Sequence, residues 1–132
     1  SSNKESLAAF YAADFGLECA YYWDLKHPGF PASIFAAPGA PIPYPSYGGK
    51  GITCNGKDFP VSWIVNSSSN PATTKFNLSF TDGSFPTEGC SEVTVSKNLF
   101  KGKIKTTIES RGYNTCDSSS PRRVERMVTV TY

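Results

Sequence analysis

One histidine and a scatter of carboxylates are the groups in this chain that suit acid–base chemistry near neutral pH. His27 stands alone, which excludes two-histidine general acid–base cleavage of RNA. A Ser-His-Asp triad would have to join His27 to a distant serine, and no G-x-S-x-G elbow accompanies it. One-histidine ribonuclease chemistry asks for less: His27, a carboxylate and Arg111. Glycoside hydrolysis needs two carboxyl groups roughly 5–10 Å apart across a cleft. Glu18, Asp24, Asp58, Glu88, Glu92 and Glu109 are the available acids. Asp24-Leu25-Lys26-His27 runs directly into a proline loop, which reads as a surface turn carrying a solvated histidine. No catalytic set is expected, and His27 is the alternative. There is no phosphate-binding glycine loop, no dinucleotide fingerprint and no calcium loop, so no cofactor is expected.

The cations are better organised. Residues 97–126 hold eight basic and three acidic side chains, a net +5, while the first 96 hold five basic and eight acidic, a net −3. Lys101, Lys103 and Lys105 have strand period and should project as one row, with Ile104, Thr106 and Ile108 facing the other way. A strand over Arg122–Tyr132 pairing nearby would let Arg122 and Arg126 widen that row. Such a patch suits an anionic partner: an acidic polysaccharide, a nucleic acid, a lipid head group or an acidic protein surface. Lysines on a strand also discourage edge-to-edge aggregation, which is the plainer reading. An extracellular or host protein, or an acidic polysaccharide, stands ahead of nucleic acid as the expected partner.

A second candidate surface is the segment 28–49. Six of the ten prolines lie between Pro28 and Pro45. Proline lacks the N–H that a central strand needs, so the segment reads as a long ordered loop. Phe30, Phe35, Tyr44 and Tyr47 in it, with Tyr21 and Tyr22 nearby, would make a stacking platform, or else would cover one end of the core.

These groups need a scaffold. At 132 residues, 39% hydrophobic and 14% aromatic, the chain is long enough for one domain with one core. Its four cysteines, Cys19, Cys54, Cys90 and Cys116, lack the close C-x₂-C pairs of a zinc site. They read as two disulfides, which places the chain on an oxidising, secreted route. Four cysteines allow three pairings. Neighbours in sequence favour Cys19–Cys54 with Cys90–Cys116, against the nested Cys19–Cys116 with Cys54–Cys90. The sequons at Asn66 and Asn77 are glycan acceptors on the same route. The chain opens at Ser1 without methionine, which reads as a mature form after loss of a signal peptide. No apolar run reaches the ~20 residues of a membrane span.

Ser2 and Glu5 have capping-box spacing, and Leu7, Phe10 and Tyr11 share a helical face, so a short helix is allowed over 3–13. From Phe15 the period becomes two: Phe15, Leu17, Cys19, Tyr21 and Trp23 read as the buried face of a strand. Past Lys50 the pattern is β throughout. Asn55-Gly56 is a hairpin signal. Thr74, Phe76, Leu78 and Phe80 alternate with polar residues in the clearest amphipathic strand, leaving Asn77 on its solvent face. Further strands are expected over Val93–Ser96, Lys101–Glu109 and Arg122–Tyr132. The expected fold is mainly β: one antiparallel sandwich or small barrel with a short N-terminal helix and a proline-rich loop.

The four spaced cysteines, the run Cys19-Ala20-Tyr21-Tyr22-Trp23 and the repeated amphipathic strands resemble small secreted cysteine-containing proteins of filamentous fungi. These include effectors and allergens with compact β folds, such as the Alt a 1-like proteins. A ribonuclease-like effector, with the fold kept and catalysis lost, is a second likeness. Either implies a secreted, disulfide-stabilised protein that binds an extracellular or host macromolecule. A small secreted hydrolase and a wall-associated structural protein are the rivals.

Overall fold

The computed structural model describes residues 2–40, 52–54, 57–58, 63–80 and 89–132. A helix, α1 (Ser2–Leu25), leads into a loop. A two-stranded hairpin follows, β1 (Thr53–Cys54) and β2 (Lys57–Asp58). Then comes a five-stranded sheet: β3 (Ile64–Asn66), β4 (Ala72–Ser79), β5 (Cys90–Phe100), β6 (Lys103–Tyr113) and β7 (Glu125–Thr131). The sheet is antiparallel in sequence order, β3-β4-β5-β6-β7. Among the described residues it is open, with β3 and β7 as its edges. The expected β class is therefore present as one open five-stranded sheet with a helix on one face, and a separate two-stranded hairpin.

The expected strand over 15–23 is corrected to helix. α1 runs unbroken for 24 residues. The residues it buries are Ala8, Ala9, Ala12, Ala13, Gly16, Cys19, Ala20, Trp23 and Asp24. They recur at three- and four-residue steps, which is a helical stripe. Apart from Trp23 and Asp24 that stripe is made of small side chains, so it carries little hydrophobic signal. The bulky apolar residues Leu7, Phe10, Tyr11, Tyr21, Tyr22 and Leu25 lie on the exposed side, and the period-two run Phe15, Leu17, Cys19, Tyr21 and Trp23 is divided among buried, half-buried and exposed positions of the helix. Alanine also has the highest helix propensity. The helix ends where His27 (φ 28°) precedes Pro28 and Gly29 takes φ 88°, because the residue before proline is driven out of the helical region.

Small residues let α1 lie close on β5, β6 and β7. A Cβ on Gly112 would come within 2.1 Å of the Ala9 carbonyl oxygen. One on Gly16 would come within 2.5 Å of the Ser110 hydroxyl. Val93, Val95 and Ile108 fill the space beside the helix. The loop after α1 covers the inner face of β3 and β4, where Phe35, Trp63 and Phe76 stack with centroids 5.2–5.8 Å apart. The Ala36 amide donates to the Thr74 hydroxyl at 2.9 Å, which ties loop to sheet.

A charged network closes the C-terminal end of α1. The Lys97 ammonium sits 2.7 Å from an Asp24 carboxylate oxygen, their side chains 8% and 3% exposed. The Thr106 hydroxyl also accepts from Lys97, and the Ser33 and Tyr132 hydroxyls donate to Asp24. Burial, and then this bond to Asp24, raise the Tyr132 phenol well above its ordinary range. Both carboxylate oxygens are thus satisfied, as a buried charge requires.

The disulfides are Cys19–Cys54 and Cys90–Cys116, the pairing of sequence neighbours. The first ties α1 to the small hairpin and the second ties the start of β5 to the segment after β6. Two disulfides are consistent with a secreted or extracellular setting. In the hairpin, Cys54 pairs with Lys57, flanking the expected turn at Asn55-Gly56. That dipeptide itself lies outside the described residues. No described helix is long and apolar enough to cross a membrane.

Candidate functional site

Alternation along the strands gives the sheet two faces. Phe76, Val93, Ser110 and Val128 are cross-strand partners on the inner face. The intervening residues, Asn77, Glu92, Arg111 and Met127, form a row on the outer face. Lys75, Thr94, Glu109 and Thr129 form the next row, and Ile64 lies opposite Lys75. Ile64, Lys75, Asn77, Glu92, Thr94, Glu109 and Arg111 line a groove of about 390 Å³ on this face.

The charges in the groove answer one another. Arg111 Nε lies 3.6 Å from Glu109, and Nη1 lies 3.4 Å from Glu125. Those carboxylates, Glu109 first, raise the guanidinium pKa further. One residue row away, the Tyr113 hydroxyl has one proton to share between Glu125 at 2.8 Å and Glu92 at 3.2 Å. Burial, and next the Glu125 bond, push this phenol up to about 12. At neutral pH it is therefore a hydrogen-bond donor and not a base. The Arg123 guanidinium lies 3.5 Å from the centre of the Tyr113 ring, a cation–π contact that holds the ring in place. Glu92 and Glu109 are diagonal neighbours, since Glu92 pairs with Arg111 and Glu109 with Thr94. Diagonal positions on adjacent strands are about 7–8 Å apart. Among the described residues no group of three His, Cys, Asp or Glu is placed to hold a metal ion.

The residues singled out in the sequence fall in several places. His27 follows α1 on the inner side of the sheet, and its Nδ1 meets the Phe30 carbonyl at 3.0 Å. Arg111 points to the outer face, so the two do not form one site. Phe30 is half-buried with its ring edge-on to Trp23 at 6.2 Å, an anchor for the loop. Tyr44 and Tyr47 lie outside the described residues. Lys103 and Lys105 share the outer face of β6, while Lys101 sits in the turn before it. Arg126 pairs with Gly112 and Lys103 with Phe100, at opposite ends of β6. Nine residues separate those positions, about 30 Å along the strand. The antiparallel register therefore keeps Arg122 and Arg126 away from the lysine row. They meet the start of α1 instead, Arg122 at 3.7 Å from Glu5 and Arg126 on the Ser6 hydroxyl. Asn66 and Asn77 are both exposed. The Asn66 side chain accepts from the Ser68 amide at 3.2 Å, and Asn77 lines the groove.

Lys75, Tyr113 and Glu125 were not among the residues the sequence picked out. Lys75 and Asn77 alternate with Phe76 and Leu78, so their shared outward face is readable. The convergence of Glu125 on Arg111 and Tyr113 is not, because it depends on the β6–β7 register. No family model, no curated protein and no solved structure matches the chain.

Proposed function

We propose that this chain is a secreted, disulfide-stabilised binding protein that holds an extracellular macromolecule on the outer face of its sheet without catalysis. The observation that carries this reading is the balance of charge in the groove. Lys75 and Arg111 stand with Glu92 and Glu109 around Asn77 and Thr94, flanked by exposed Ile64 and Met127. A uniform polyanion gains little from a groove of no net charge. A polypeptide can answer both signs and cover the apolar rim, so an extracellular or host protein is the favoured partner. The groove is built on strands fixed by a packed inner face, which supplies the rigidity recognition needs.

Capture from extracellular fluid with the oxidised chain tests this. A protein retained by wild type, lost by the Lys75→Ala/Arg111→Ala pair and kept by a Lys103→Ser/Lys105→Ser pair is expected. Retention by all three forms would remove the groove from the proposal.

A small hydrolase is the second reading, favoured by one observation. The diagonal register of Glu92 and Glu109 puts two carboxylates on one face of the sheet, beside the groove that a glycan could enter. Cleavage of glycan or RNA by clean protein, abolished in Glu92→Gln or Glu109→Gln, would establish it. His27 has no part in this version, and His27→Ala should leave any such activity intact.

A further inference from the structure

We infer that the tip of the β5–β6 hairpin is a docking point for an anionic phospholipid surface. β4 stops opposite Lys97 and β7 stops opposite Thr107. The pairs Asn98–Lys105, Leu99–Ile104 and Phe100–Lys103 continue beyond them. On the β7 side, where Tyr132 still bonds Thr106, the hairpin therefore runs about 10 Å past its neighbour at ~3.3 Å per residue, while on the β4 side Asn70 reaches as far as Leu99. It turns through Lys101 and Gly102, both with positive φ (52° and 78°), the primed turn that suits a two-residue hairpin. The Asn70 side chain braces the base: its Oδ1 accepts from the Leu99 amide at 2.9 Å and its amide donates to the Leu99 carbonyl at 2.8 Å.

The composition of this projection is specific. Phe100 is 69% exposed, Ile104 44% and Leu99 41%. Lys101, Lys103 and Lys105 are exposed among them, and no acid occurs between Lys97 and Glu109. The Lys101 ammonium lies 5.4 Å from the centre of the Phe100 ring. Phe100, Lys103 and Lys105 lie on one face of the hairpin, Leu99 and Ile104 on the other, and Lys101 in the turn, so apolar side chains and cations on long aliphatic stems share the end of the hairpin, as at a bilayer interface. Phenylalanine and the aliphatics enter the acyl boundary while lysines extend back to phosphate and carboxylate head groups. A polysaccharide or a nucleic-acid duplex answers the lysines but offers no apolar layer for Leu99, Phe100 and Ile104 together. The tip also lies apart from the groove, so both can act in one molecule.

Co-sedimentation of the oxidised chain with phosphatidylcholine vesicles, with and without phosphatidylserine, tests the inference. Binding is expected to the anionic vesicles and to fall away between about 0.1 M and about 1 M salt, as the Debye length shortens from ~10 to ~3 Å. Each lysine near such a surface is worth about fivefold in affinity, so Lys101→Asn/Lys103→Ser/Lys105→Ser should lose about a hundredfold. Phe100→Ser should lose about tenfold or more, from the apolar area that no longer inserts. Melting temperature and circular dichroism check that each variant folds, and Phe100→Ser alone suffices if the triple variant does not. Absence of vesicle binding by folded wild type overturns the inference, as does vesicle binding that Phe100→Ser leaves unchanged. So does binding of single-stranded RNA in place of vesicles in a parallel titration.

Discussion

At the scale of single residues, buried polar groups set the largest expected effects. Lys97 and Asp24 neutralise each other inside the fold. Replacing Lys97 with methionine leaves the Asp24 carboxylate without its cation and should cost about 3–5 kcal/mol in urea denaturation. Gly112 is constrained by backbone, not by a movable side chain. Gly112→Ala must push α1 off β6 and should cost about 3 kcal/mol by the same measurement. The phenols make a pH prediction. Tyr113 titrates near pH 10.0 when unfolded and near 12 when folded. Its folded-state value is raised, so its contribution is complete below pH 10 and is lost as pH climbs towards 12. Stability should therefore fall across that window, and absorbance at alkaline pH should show Tyr113 and Tyr132 ionising above the ordinary phenol range. Tyr113→Phe should flatten part of the fall. If Tyr113 ionises near pH 10 in the folded chain, the Glu125 and Glu92 contacts are misassigned.

At the scale of elements, the two disulfides and the helix–sheet contact act on different parts of the chain. Cys19–Cys54 and Cys90–Cys116 span 35 and 26 residues. Loops of that length are worth about 3–4 kcal/mol each through restriction of the unfolded chain. Paired Cys→Ser variants should lower the urea midpoint accordingly. Asn77 offers a further prediction, because its side chain lines the groove. A glycan there would cover Glu92 and Arg111. If Asn77 is glycosylated on secretion, the glycosylated chain should lose the groove partner and Asn77→Gln should regain it, which capture with the two forms would measure.

At the scale of the whole molecule, the inner face carries the packing while groove and tip lie outside it. Arg111 and its carboxylates form exposed pairs, each worth about 0–1 kcal/mol. Arg111→Ala and Phe100→Ser should therefore each shift stability by less than about 1 kcal/mol, and their effects should add. Coupled losses in a double variant would show that the outer face contributes to folding.

The β4 alternation, the shared face of Lys103 and Lys105 on β6, the pairing of cysteine neighbours and the excess positive charge of the second half were legible along the chain, whereas the turn at Lys101 was not. Each depends on near neighbours in sequence, where side-chain period and composition speak directly. The length of α1 was not legible, because a helix that packs largely on alanine and glycine leaves most of its bulky residues outside and blurs the usual hydrophobic pattern. Nor was the groove. Glu92, Arg111 and Glu125 come together only through the β5–β6 and β6–β7 registers, and that same antiparallel register sends Arg126 to the far end from Lys103. The sequence by itself determined which residues alternate, which are charged and which cysteines are close enough along the chain to pair. Tertiary structure alone decided which of them share a face. Register is set by the packing of the whole inner surface against α1, and no local stretch of residues contains that information.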